Sequence, residues 1–132
     1  MRPFRSAIVA MFMLPGAASG QGLASMSEGW IFEERGGEAI YAHVCAACHQ
    51  PDGRGTVGAG GYPALAGDKN VAQATYVLSV LLNGQRAMPA VGRMMSDAQA
   101  ADVINYVRAR FGDVRGDMVS AADVKAARPA SP

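Results

Sequence analysis

The five residues Cys45-Ala46-Ala47-Cys48-His49 constrain this chain more than any other stretch. They hold both cysteines of the sequence and one of its two histidines. On a helix, thiols three positions apart share one face, and here an imidazole follows directly. Cys-x-x-Cys-His is the spacing of c-type haem attachment, in which the two sulfurs reach the vinyl groups of a porphyrin and the imidazole points at its iron. In a chain so poor in cysteine the pattern is specific.

Two other chemistries use paired thiols. A redox dithiol follows a strand and opens a helix in an alternating β/α chain, and no strand pattern precedes Cys45. A zinc site needs four ligands, and the only other imidazole, His43, stands two residues before Cys45 with no second ligand pair downstream. His43 reads as a polar residue on the outer helix face. It is too near His49 in sequence to reach the opposite side of the same iron.

The 132 residues allow one domain, and part of that length reads as a leader. Arg2 and Arg5 precede an apolar run, Ala7 to Leu14, and the small, turn-prone stretch Pro15 to Gly20 follows. This is the layout of a secretory signal peptide over residues 1–20. An apolar run of eight residues falls short of the ~20 that span a bilayer, so no stable membrane span is expected. The whole chain has 12 basic and 11 acidic residues; losing Arg2 and Arg5 with the leader leaves ten basic and a net charge of −1. Nucleic acid is not a sensible partner for such a surface.

Residues 21–35 read as an irregular arm carrying Trp30, Ile31 and Phe32. From Gly36 onward Ile40, Tyr41, Val44, Cys45 and Cys48 recur at helical spacing and place the thiols on one stripe. Gly53-Arg54-Gly55-Thr56-Val57-Gly58 formally matches a dinucleotide fingerprint, but no strand precedes it and no helix follows, so it reads as a flexible loop able to wrap a flat ring closely. Asn70 with Gln73 suggests a capped start to a second helix, whose face is Ala74, Val77, Leu78, Leu81 and Leu82. Ser96-Asp97-Ala98-Gln99 is a capping-box start to a third, with Ala100, Val103, Ile104, Val107 and Phe111 as its buried stripe. Ser120 to Asp123 repeats the box ahead of a short terminal helix.

From Gly36 to Gly112 the chain resembles the class I c-type cytochromes with one haem, and among them the small cytochrome subunits or partners of periplasmic dehydrogenases, including the p-cresol methylhydroxylase type. The resemblance rests on Gly37 and Tyr41, eight and four residues before Cys45, on Pro63-Ala64-Leu65, on Met88-Pro89 and on Tyr106. It implies an all-α cytochrome c fold of three main helices and long loops around one covalently bound haem. Residues 36–112 would form that domain, and residues 113–132 a C-terminal extension with the short helix. Cys45 and Cys48 would bind the haem c, and His49 and Met88 would ligate its iron. The Pro63 carbonyl would accept the Nδ1 proton of His49, and Gly37 would let the first and last helices cross closely. Met26, Met94, Met95 and Met118 are weaker ligand candidates.

The resemblance implies a periplasmic one-electron carrier rather than an enzyme, serving a redox partner such as a periplasmic dehydrogenase or terminal oxidase. A haem enzyme or gas sensor with a labile sixth site is the alternative.

Overall fold

The computed structural model describes residues 32–58 and 60–129. The leader, residues 1–20, and the arm up to Ile31 lie outside the described residues, as does Met26. All regular structure among the described residues is helical, and the one β-bridge joins Gln85 to Met88.

The first helix begins as α1 (Gly37–Ile40), widens into a π-helical turn (Tyr41–Cys45) and closes as α2 (Ala46–His49). The widening, in which the Ala46 amide donates to the Tyr41 carbonyl, departs from the regular α-helix that the apolar spacing predicts. Such π turns recur at functional sites, and this one runs into the two cysteines. Phe32 and Glu34 are tied down ahead of the helix, because the Gln99 side-chain amide donates to both of their carbonyls.

Gln73, not Asn70, occupies the N-cap position of the second helix. Asp68 accepts the Asn70 amide at 2.9 Å and sets up a separate 3₁₀ turn, Lys69–Ala72. Only then does α3 (Ala74–Asn83) start, with no side-chain cap on Gln73. Asp68, immediately before this turn, caps it, and the Gln73 amide donates to the Asn70 carbonyl at 2.9 Å, so the α-helix begins only after Gln73. A second 3₁₀ turn, Val91–Met94, leads into α4 (Asp97–Phe111).

Helix α4 is the spine of the fold. Its capping box forms as the sequence indicates, with Gln99 N donating to Ser96 Oγ at 3.2 Å and Ser96 N to Gln99 Oε1 at 2.9 Å. Its buried stripe, Ala100, Val103, Ile104 and Val107, meets Ile40 and Tyr41 on one side and Leu81 and Leu82 on the other. The crossing with α1 is tight: a Cβ on Gly37 would lie 2.6 Å from the Tyr106 Cβ and would run into the Asp102 carbonyl. Over that contact the Tyr41 ring packs against Tyr106 and Phe111, centroids 5.5 and 5.1 Å away.

After α4 the chain turns back and lays α5 (Ala121–Ala127) against it, with Val124 fully buried. Arg108 holds this return in place, since its buried guanidinium donates to the Ala72 carbonyl and to Asp117, 2.9 Å from the carboxylate. Asn105 adds a reciprocal amide pair with Val119, at 2.8 and 2.9 Å.

The Tyr41 hydroxyl donates to the Gln50 carbonyl at 2.7 Å, and burial pushes its pKa up to about 12. An unfolded tyrosine ionises near pH 10, so between pH 10 and 12 the unfolded chain binds fewer protons and stability falls as pH rises. Tyr41→Phe is expected to cost about 1 kcal/mol at neutral pH through the lost hydrogen bond. That gap should shrink as both proteins are unfolded in denaturant at successive pH values from 10 to 12. A gap that stays constant would show that Tyr41 does not carry this term.

Candidate haem site

Residues 44–49 at the end of the first helix, α3 and α4 face one another across an open space. Between them lies a cleft of about 210 Å³, open to solvent on one side. One wall is Val44, Cys45, Cys48 and His49; α3 supplies Val77, Val80 and Leu81; α4 supplies Val103, Ile104 and Val107. Leu65 comes from the glycine-rich loop, and Met88, Pro89 and Val91 from the segment after α3. The four site residues that the sequence singles out are thus brought to one cavity.

Each is positioned by backbone chemistry. His49 is 8% exposed, and its Nδ1 lies 3.0 Å from the Pro63 carbonyl. A carbonyl only accepts, so Nδ1 carries the proton and the lone pair of the neutral ring sits on Nε2. The loop reaches this geometry through Gly55, at φ +65, whose amide donates to the His49 carbonyl at 2.9 Å. A Cβ there would stand 2.8 Å from both the carbonyl carbon and the oxygen of Pro63. The glycine therefore permits the approach that fixes the imidazole.

Met88 sits at the end of a tight turn. Its amide donates to the Gln85 carbonyl at 2.9 Å, and the Gln85 amide donates back at 3.0 Å. Arg86, inside the turn, takes φ +52, which costs a non-glycine residue about 1–2 kcal/mol. The side chain of Tyr76 steadies the turn from α3, its hydroxyl donating to Gln85 Oε1 at 3.0 Å. The other described methionines stand apart from the cavity lining: Met95 is buried in the core, whereas Met94 and Met118 are 38% and 66% exposed.

Burial pushes Cys45 as a free thiol up to about 11, with the neighbouring Cys48 adding to the rise, which disfavours a free thiolate there. Among the described residues no cluster of three or more His, Cys, Asp or Glu side chains could hold a bare metal ion. His43 lies outside the site, exposed, with its Nδ1 3.2 Å from Glu34 Oε1. That neighbour holds the Glu34 carboxyl below its usual range together with a backbone hydrogen bond, the larger of the two effects.

A porphyrin fits this arrangement. The walls are apolar, the lining has no carboxylate, and the donors are sulfur and imidazole, which suit a haem iron and not a hard cation. Sequence reasoning missed the long-range bonds of Gln99, Arg108 and Arg128 to backbone carbonyls far along the chain. Arginines near helix ends carry no local signal for the distant carbonyls that they reach.

Known proteins agree with this chemistry. The chain is 36% identical over 107 residues to the fructose dehydrogenase cytochrome subunit of Gluconobacter japonicus, covering 70% of this chain and 22% of that one. It is 32% identical over 107 residues to the gluconate 2-dehydrogenase cytochrome c subunit of Pantoea cypripedii, covering 70% and 24%. With the cytochrome c subunit of the quinone alcohol dehydrogenase of Gluconobacter oxydans it shares 31% identity over 126 residues, covering 86% and 26%. The chain spans about a quarter of the length of these curated relatives. The profile of the family described as cytochrome c oxidase, cbb3-type, subunit III matches residues 33–107. The chain belongs to that family of cytochrome c domains, and its membership implies haem c as the prosthetic group.

Proposed function

We propose that this chain is a periplasmic one-electron carrier with a single haem c, bound through Cys45 and Cys48 and ligated by His49 and Met88. A haem iron held by His49 and Met88 would supply one-electron redox chemistry at a raised potential. The observation that carries the reading is that one apolar cavity is lined by both thiols, by an imidazole whose Nδ1 is already committed to Pro63, and by Met88. The protein's part is to present Nε2 to the iron, to keep water from the ring faces with Val77, Val80, Ile104 and Val107, and to leave one edge open for electron entry and exit.

The partner that fits is a dehydrogenase whose electrons this domain accepts, by analogy with the named relatives. Secretion is supported by the leader-like residues 1–20. No helix among the described residues is long and apolar enough to cross a membrane.

The test is spectroscopic. Protein secreted by a host that matures c-type cytochromes is expected to stain for haem on a denaturing gel, with one haem per chain. Its ferric form should show the methionine-to-iron charge-transfer band, and Met88→Ala should abolish it. A parent protein without that band, or a Met88→Ala variant that keeps it, would overturn the ligand assignment and favour an open sixth position.

A further inference from the structure

We infer that Arg128, at the end of the C-terminal helix, is a positioning residue that keeps Met88 on the iron; this rests on the ligand assignment proposed above. Arg128 follows α5 directly and reaches back across the fold. Its Nε donates to Asp97 Oδ1 at 2.6 Å, Nη1 to the Gly92 carbonyl at 3.0 Å, and Nη2 to the Met95 carbonyl at 2.7 Å. Asp97 is the first residue of α4. One guanidinium therefore ties the 3₁₀ turn that follows the Met88 segment to the start of the central helix.

The connection from this clamp to Met88 is short and stiff. Only Pro89, Ala90 and Val91 separate Met88 from Gly92. The ring of Pro89 fixes its own φ. Ala90 has φ −76 and ψ 62, and the Val91 amide donates to the Pro89 carbonyl at 2.8 Å, an inverse γ-turn. Gly92 is buried against Leu81 and Leu82 of α3 on its inner side, while Arg128 holds its carbonyl from the outer side. On the far side of Met88 the turn with Gln85 completes the frame. Slack at Gly92 has few soft torsions in which to dissipate before it reaches Met88.

Charge-assisted hydrogen bonds from a forked guanidinium are stronger than neutral ones and hold a plane, and a lysine cannot reproduce that geometry. With the clamp gone, the methionine-off state becomes more populated and an external ligand competes more easily, since apparent affinity scales with the fraction of open sites. The C-terminal segment would thereby set how firmly the sixth position is closed.

The test is imidazole titration of the ferric holoprotein, followed by loss of the methionine-to-iron charge-transfer band. Arg128→Ala is expected to bind imidazole about tenfold more tightly than the parent, with Arg128→Lys in between. Ile40→Val, a core change on the opposite side of α4, is the control for general destabilisation and should stay within about twofold of the parent. The inference is overturned if Arg128→Ala stays within twofold of the parent, or if Ile40→Val shifts affinity as much. If the parent lacks the band, or if Met88→Ala keeps it, the ligand assignment fails instead, and this is seen before Arg128 is tested.

Discussion

Replacing both Cys45 and Cys48 with serine is expected to yield a secreted chain without covalent haem, with weak helical circular dichroism and no cooperative thermal transition. The cleft that these thiols line is bounded by side chains from three separate helices and has about 210 Å³ of space. Left empty, it would cost about 5 kcal/mol at ~24 cal/mol per Å³, comparable with the ~5–15 kcal/mol total stability of a typical domain. Collapse does not offer an escape. Gly37 already holds α1 and α4 at backbone contact, so α4 cannot move further toward the first helix without breaking that crossing. A small chain of this kind needs its prosthetic group as core. Haem staining and far-ultraviolet dichroism of the purified variant check both halves of the prediction, and a haem-free protein that unfolds cooperatively with near-parent helicity would sink it.

The second large effect is expected at Gly37. Glycine to alanine in a helix ordinarily stabilises by ~0.5–1 kcal/mol, because the unfolded chain loses freedom. Here the sign should reverse. The new methyl would stand 2.6 Å from the Tyr106 Cβ and against the backbone carbonyl of Asp102, and backbone cannot rotate aside as a long side chain can. The helices must part, and the stacking of Tyr41 on Tyr106 and Phe111 loosens with them. Overpacking of this kind costs ~1–3 kcal/mol or more, so a loss of about 3 kcal/mol is expected. Denaturant unfolding of the holoprotein measures it as a lower midpoint at unchanged slope, with the haem spectrum initially intact. A midpoint at or above that of the parent would mean that the crossing is not the constraint the geometry implies.

The helical elements were largely legible because local signals agree with one another. The Ser96–Gln99 and Ser120–Asp123 boxes form as their spacing indicates, and the stripe from Ala100 to Val107 is buried as its period requires. The start of α3 differs from the capped start that Asn70 suggests, because Asp68 caps a separate 3₁₀ turn ahead of it, and short-range capping signals do not rank the two starts. The π turn at Tyr41–Cys45 was invisible for a related reason: it alters one hydrogen-bond ring without altering the pattern of apolar residues.

For the candidate site, the sequence alone determined the chemistry: two thiols and an imidazole at attachment spacing, a Met-Pro segment, and the Pro63 and Gly37 positions that a family resemblance makes meaningful. Those are matters of residue type and short-range spacing. Tertiary structure alone decided that Met88, among the described methionines, lines the cavity with His49, and that the Pro63 carbonyl stands at hydrogen-bond distance from Nδ1. It also decided that the segment carrying Met88 is braced from behind by Arg128, 40 residues further along the chain. A guanidinium can reach any carbonyl that folding brings near, and which carbonyl that is depends on how helices pack, not on the residues beside the arginine.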